Sequence, residues 1–298
     1  QKLPMTARAL LYVNARSRSG RKNKPKALAA LAALDIDVVD ASNVAVNHLP
    51  TVLRDSRRKI DRVIIGGGDG TLNRVLEALI ELELPVGVLP VGTANDLAAT
   101  LGIPQNISEA CSIIALGNQR RIDLGWVNRK HFFNEGSLGL STHIARDLDP
   151  AAKKRWGILA IAANAARVIS RARAFRARLR CDDKTYDVRT VQITVGNGEH
   201  FGGFFKNLDA DIADRRLDLY SLEVQGFFDV LELLPALILG RYTDCRGVRL
   251  ERGCEIEVRT TRPRTIYTDG ERTTVTPALF RSVPSALALF APATAISK

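Results

Sequence analysis

Cysteine is scarce and unpaired by spacing: Cys111, Cys181, Cys245 and Cys254 are all there are, and no two form a C-x-x-C pair. That argues against a cysteine zinc site and suits reduced, buried thiols in a cytoplasmic protein. The four histidines, His48, His131, His143 and His200, are scattered without ligand spacing. Aromatics are only 6% of residues and no basic segment is interleaved with stacking side chains, so we expect no nucleic-acid partner. No apolar run reaches the roughly 18 residues of a membrane helix. The longest are the alanine-rich stretch at 27–34 and "LLPALILG" at 233–240. The opening "QKLPMTARAL" lacks the apolar region of a signal peptide, and the expected location is cytoplasmic. Acidic residues are also in deficit. With 43 Lys and Arg against 32 Asp and Glu, the net charge of +11 favours polyanionic partners such as anionic membrane or phosphorylated substrates.

What is present reads as a globular chain of two domains: 298 residues, 46% hydrophobic and 25% charged. The first part alternates strand and helix. "RALLYVN" at 8–14 predicts a strand, "KPKALAALAAL" a helix with Pro25 near its first turn, "IDVVD" a strand, and 44–57 a helix that tolerates Pro50 early. "VII" (63–65), turning at Gly66 to Thr71, and "LPVGVLP" (84–90) follow as strands, the second leading into "VGTAND" and a helix from about Asp96. Alternation of this kind implies a parallel sheet with crossover helices, whose ligands sit at the carboxyl ends of the strands. After Asp123 the texture changes. "IDLGWVNRKHFFNEG" reads as a hairpin turning at Asn128, Arg129 and Lys130, and "YDVRTVQITVGN", "RRLDLYSLEV" and "CEIEVRTTRP" as long strands, with helices at 151–173 and 227–241. The expected fold is α/β, with a first domain at 1–125 that the strand at 285–298 completes and a β-rich second domain at 126–284.

The stretch "VIIGGGDGTLNRVLEAL" at 63–79 concentrates the chemistry. A β-branched run, a glycine turn and a helix-spaced apolar pattern leave unpaired N–H groups at a helix start, where glycines let a phosphate approach. Counting from Gly66 or Gly68 puts Thr71 or Asn73 where the last glycine of G-x-G-x-x-G belongs, and no G-K-[ST] follows. Neither the dinucleotide fingerprint nor the Walker pattern is met. Asp69 beside a phosphate would repel it unless a cation such as Mg²⁺ lay between them. The plain alternative is a glycine-rich turn with a capping Asp.

"GGDGT" (67–71), "PVGTANDLA" (90–98), "RIDLG" (121–125), "FFNEGSLGLS" (132–141) and "YTDGE" (267–271) occur in that order. Together they resemble the diacylglycerol kinase catalytic-domain superfamily, most closely its soluble bacterial lipid kinases. GGDGT alone is shared with NAD kinases and 6-phosphofructokinases; the ordered set is more specific. The resemblance implies a three-layer α/β nucleotide-binding domain like that of NAD kinases and a sandwich-like second domain. It places the active site in the cleft between them and implies transfer of the ATP γ-phosphate, with Mg²⁺, to a lipid hydroxyl. It assigns Gly67, Gly68, Asp69, Gly70 and Thr71 to the nucleotide loop and Thr93, Asn95 and Asp96 to a second phosphate-side turn. Asn14 takes a phosphate contact, Glu271 the place of the catalytic base, and Asp69 and Asp123 other acidic positions of the cleft. Singly, each carboxylate also has a plain reading as a helix cap, a strand end or an Asp-Gly hairpin.

The family pattern P-x-A-x-x-x-D-G-x-L implies a structural Mg²⁺ in the second domain. Here it maps to "NLDADIADRRLDLY", with Asp214 at the Asp position, Asp211 and Arg216 offering carbonyls, and Asp209 or Asp218 nearby. Arg215 replaces the glycine, a poor choice if that position needs positive φ. A Glu common in the family shortly after GGDGT-x-N is Arg74 here, able to reach a phosphate or headgroup. The first-strand phosphate turn reads "VNARSRSGRKNK", keeping Asn14 and adding basic residues such as Arg16.

A lipid kinase of this kind meets its substrate by peripheral contact with the inner membrane face. "AKKRWGILAIAANAARVISRARAFRARLR" (152–180), with its apolar stripe and flanking arginines, is the candidate contact, set against a helix packed on the second sheet. Two other readings stay open: a soluble-substrate kinase such as an NAD kinase, and a noncatalytic nucleotide- or lipid-binding regulator. Oligomeric state is open too, a homodimer included.

Overall fold

The longest apolar strand runs build the first unit. A computed structural model describes residues 7–140, 173–197, 200–201, 205–206, 212–223 and 247–293. It divides the chain into one unit of Gln1–Leu124 with Pro284–Lys298 and another of Gly125–Val283. In the first, β1 (Ala7–Val13), α1 (Arg18–Ala33), β2 (Ile36–Asp40), α2 (Leu49–Ser56), β3 (Arg62–Gly67), α3 (Asp69–Leu82) and β4 (Val86–Pro90) alternate. Then come α4 (Asp96–Thr100), α5 (Ile107–Leu116) and β5 (Gln119–Val127). The strands line up in parallel as β2-β1-β3-β4, and the C-terminal strand returns beside β4 with Leu289 opposite Val86. Leu10, Leu11, Ile64 and Ile65 are fully buried in this sheet, and Val75, Leu76 and Leu79 of α3 are buried at helical spacing.

From β1 the chain steps one way across the sheet, to β2, and from β3 it steps the other way, to β4. Right-handed crossovers then put α1 on one face and α3 on the other. The packing agrees, since α1 lies against α5 and α2 against α3. The result is a three-layer α/β unit. Its reversal of direction makes the carboxyl ends of β1 and β3 a topological switch point, where such sheets bind ligands.

Two expected helices differ in their bounds. Ser17, not Pro25, starts α1: its hydroxyl accepts the Gly20 N–H at 2.9 Å. Pro25 therefore lies inside the helix, on an exposed position. The single helix expected at 44–57 splits into a 3-10 turn at Val46–His48 and α2, with Pro50 in the first turn of α2.

The second unit is a sandwich. β5 runs into it, followed by β6 (Lys130–Phe132), β7 (Glu135–Gly139), β8 (Phe175–Cys181), β9 (Lys184–Thr190), β10 (Gln192–Gly196), and a two-strand ladder of β11 (His200–Phe201) and β12 (Phe205–Lys206). Then come β13 (Leu217–Leu222), β14 (Val248–Gly253), β15 (Glu255–Thr260), β16 (Thr265–Thr268), β17 (Glu271–Val275) and β18 (Ala278–Phe290), which ends in the first unit. One sheet has the order β14-β13-β10-β7-β16-β17; the facing strands are β18-β15-β8-β9. Leu138, Ile193, Val195, Leu217, Leu219 and Ile266 from the first meet Leu179, Val188, Ile256, Val258 and Phe280 from the second in one core. Phe132 meets Phe280 edge to face at 6.2 Å.

Sequence and structure part company at two strand boundaries. The hairpin turn is two residues, Asn128 (φ 43°) and Arg129 (φ 82°), and Lys130 already pairs with Val127. "YDVRTVQITVGN" is two strands in different sheets, broken at Val191, where the Thr190 hydroxyl donates to the carbonyls of Gln192 and Leu222. The helices expected at 151–173 and 227–241 lie outside the described residues, as does most of the candidate membrane segment at 152–180. Among the described residues no helix is long and apolar enough to cross a membrane.

The cysteines are not uniformly buried. Cys111 and Cys181 are, but Cys254 is exposed, and Cys245 is outside the described residues. Burial pushes the Cys111 and Cys181 thiols up to about 11. At pH 8 about one in a thousand of either would be thiolate, so brief iodoacetamide treatment followed by peptide mass spectrometry is expected to modify Cys254 and spare both.

Candidate active site

The glycine turns after β3 and β4 are locked into one another. The Cα of Gly68 lies so near Gly92 that a Cβ on Gly92 would stand 2.3 Å from it. The second turn is shaped by Asn95, itself in the left-handed region at φ 57° and 4% exposed. Its Oδ1 accepts the Gly92 N–H at 2.9 Å, and its Nδ2 donates to the Gly92 carbonyl and to Gln105 Oε1. Asn95 thus spends its side chain on the turn. Thr93 stands exposed on the same turn.

Asp69, the first residue of α3, faces across to the second turn. Its two oxygens accept the N–H groups of Asp96 and Leu97 at 3.1 and 3.2 Å, so Asp69 caps α4 from another helix. Asp69 thus holds the second turn through two amide bonds, and Asp96 opens the capped helix rather than capping it. Gly70 is exposed with open space around it, and Thr71 is buried.

At the switch point itself, the end of β1 touches the loop. Asn14 donates from its backbone to the Gly66 carbonyl at 2.8 Å and from Nδ2 to Thr71 Oγ1 at 3.4 Å, while its Oδ1 accepts the Arg16 N–H. The ends of β1, β3 and β4 therefore form one continuous cradle of Asn14, Gly67–Thr71 and Gly92–Asp96. α3 opens at Asp69 with no side-chain cap from Gly68, leaving first-turn N–H groups for an anion.

Asp123 is 3% exposed on β5 and accepts the Ser285 N–H at 2.7 Å, while Arg121 donates to the Ser285 carbonyl. Ser285 sits at φ 51°, so this carboxylate fixes the bend by which the C-terminal strand enters the first unit. Sequence gave no hint of that partner, which lies 162 residues away.

In the second unit, Glu271 opens β17 directly after a two-residue turn, Asp269 (φ 47°) and Gly270 (φ 81°), and is half-buried. The turn is pinned. Asp269 accepts the N–H groups of Phe133, Asn134 and Glu135 at 2.8, 2.9 and 3.1 Å, and donates its own N–H to the Glu135 carbonyl. Asn197 ties the same sheet end, its N–H reaching the Asn134 carbonyl and its Nδ2 the Phe133 carbonyl. From sequence, Asp269 reads only as a turn residue. The signal that connects it to "FFN" is the presence of both segments among the ordered motifs.

Residues 8–127 match the description of the diacylglycerol kinase catalytic domain, and residues 137–291, more than half of the chain, match that of the YegS C-terminal NAD kinase beta sandwich-like domain. The chain belongs to the diacylglycerol kinase catalytic-domain family. The expectation raised by the ordered motifs is met, and the chain is accordingly a kinase. A Bacillus subtilis (strain 168) protein named diacylglycerol kinase is 28% identical over 218 residues, 72% of each chain. A Synechocystis protein is 27% identical over 270 residues, which are 87% of this chain and 61% of that one. A crystal structure of a Bacillus anthracis str. Sterne protein shares the fold at a TM-score of 0.81 and 24% identity, over 99% of this chain and 98% of that one.

The family's second-domain metal pattern is altered in this diacylglycerol kinase homologue. Asp211 and Asp209 lie outside the described residues. Asp214 Oδ1 accepts the Arg216 N–H at 2.9 Å, and Asp218 is held by Arg252 at 2.8 Å. The Asp214 charge also helps hold the Arg252 guanidinium above its usual pKa, after the Asp218 hydrogen bond. Among the described residues no three His, Cys, Asp or Glu side chains gather into a metal-sized group. Arg215 does adopt the positive φ, 63°, that the family's glycine would supply. Relief of that strain, less the entropy glycine loses on folding, predicts that Arg215→Gly raises stability by about 0.5–1 kcal/mol in urea unfolding.

Proposed function

We propose that the protein transfers the γ-phosphate of ATP to a hydroxyl of a membrane lipid, diacylglycerol or a related lipid alcohol, in peripheral contact with a membrane surface. The observation that carries this reading is the cradle at the switch point, where three strand ends present amides, Asn14 and Thr71 to an anion. Asp69 and Asp96 are the carboxylates of the cradle that would hold a Mg²⁺ accompanying the nucleotide, and the ion would supply charge neutralisation on the transferring group.

The chain's own residues do the rest. The glycine turns hold the polyphosphate, with Asp69 fixing their spacing. Glu271, on a hairpin that Asp269 pins, accepts the proton of the attacking hydroxyl. Arg18, Arg21, Lys22 and Lys26 are exposed on α1 and give the first unit a cationic face suited to anionic headgroups. The lipid acceptor is supported by the Bacillus subtilis relative, which is named diacylglycerol kinase.

Incubation of the full chain with γ-labelled ATP, Mg²⁺ and a total bacterial lipid extract tests the reading. Label is expected in the organic phase. Label in NAD instead, or none in lipid despite measurable ATP binding, sinks it.

A further inference from the structure

Two arginines flank the point where β1 meets the glycine loop. Arg16 is two residues beyond Asn14 and tied to it through its backbone N–H. Asn14 in turn touches Thr71. Arg74 stands three residues after Thr71 on α3, a spacing that puts their Cβ atoms about 5–6 Å apart on one helix face. Both arginine side chains are exposed. They belong to different elements that meet at the switch point, Arg16 following β1 and Arg74 on α3. Tyr12, 3% exposed on β1, registers both: burial pushes its phenol up, and the charges of Arg16 and Arg74 pull it down. The two guanidinium groups therefore share one neighbourhood.

From this geometry we propose that Arg16 and Arg74 form a two-armed clamp for the outer phosphates of the nucleoside triphosphate held by the cradle. The inference rests on the kinase reading and deepens it, naming what selects a triphosphate over a monophosphate. Neutral donors of the cradle bind any phosphate. A guanidinium pair adds charge-assisted, bidentate contacts that grow with each added phosphate charge.

Calorimetric titration of the full chain with Mg²⁺ and ATP, ADP or AMP, in the absence of lipid, tests the clamp. In the Arg16→Ala/Arg74→Ala double variant, ATP affinity is expected to fall by about 10–100-fold and AMP affinity by less than about twofold. Arg74→Lys is expected to recover part of the loss, and Arg74→Glu to weaken ATP more than Arg74→Ala does. Equal losses for all three nucleotides, or none, would overturn the proposal. A second arm uses sedimentation with vesicles of phosphatidylglycerol and phosphatidylcholine. Loss of vesicle binding with ATP affinity intact would assign the arginines to lipid phosphate and overturn the clamp as well. Because binding is read without an acceptor, failure to label any lipid would count against the proposed function and leave the nucleotide result standing.

Discussion

Glu271→Ala is expected to lower kcat by about 10³-fold while leaving ATP affinity within a factor of two, the size of effect that removal of a general base produces. The structural grounds are specific. Glu271 follows a turn whose two residues both hold positive φ, and the turn is anchored through Asp269 to three consecutive amides. The anchor does not involve the Glu271 side chain, so the hairpin should persist in the variant and its melting midpoint should stay close to that of the wild type. Glu271→Gln separates charge from shape. It keeps the volume and loses the proton acceptor, and should be nearly as inactive. Stopped-assay turnover with ATP titration in both variants decides the matter: a variant that retains a tenth or more of the wild-type kcat would show that the proton goes elsewhere.

Gly92→Ala is expected to lose on the order of 10²-fold in kcat/KM, the cost of misplacing a bound group by about an ångström, and to lose about 1–3 kcal/mol of stability through overpacking. The added Cβ would lie 2.3 Å from the Gly68 Cα and 2.6 Å from Asn95 Oδ1. The first of these is backbone and has no rotamer by which to move away. The second is the acceptor that closes the turn, so relief in that direction breaks the Gly92 hydrogen bond. Either way the two glycine turns separate and Asp69 loses its grip on α4. Gly70→Ala is the matched control. Its Cβ meets open space, and the residue is at a helix start, so it should cost little stability. Chemical denaturation of both variants, read beside ATP titration, distinguishes a local wedge from general sensitivity of the loop.

Much of this architecture is legible in the amino-acid order because local chemistry decides it. The runs around Ile64 and Leu10, with the helical spacing of Val75, Leu76 and Leu79, specify a buried parallel sheet before any coordinate is known. The ordered motifs specify the family. What could not be read is set by partners far away in sequence. Nothing beside Asp69 in sequence shows that Asp96 and Leu97 donate to it from the second turn. The bond from Ser285, at the far end of the chain, to Asp123 is likewise invisible in the local sequence. Pro25 suggested a helix start by a sound rule, but the Ser17 cap lay outside the apolar pattern on which the rule relies. The break at Val191 escaped notice because Thr190 and Gln192 suit either sheet, and only the Thr190 hydroxyl bonds reveal where the strand changes partners.

The Asp269-Gly270 pair bears on how this enzyme ages. Glycine is the residue after Asp that most favours succinimide formation, in which the glycine nitrogen attacks the side-chain carboxyl with loss of water and the ring then reopens through the wrong carbonyl carbon. That attack is easiest on a protonated carboxyl that swings freely beside its own peptide bond. Here the carboxylate accepts three amide N–H groups from another segment. Isomerisation at this hairpin would therefore wait for those three bonds to open together, and the shelf life of the protein should follow the opening of one turn rather than the intrinsic rate of its dipeptide.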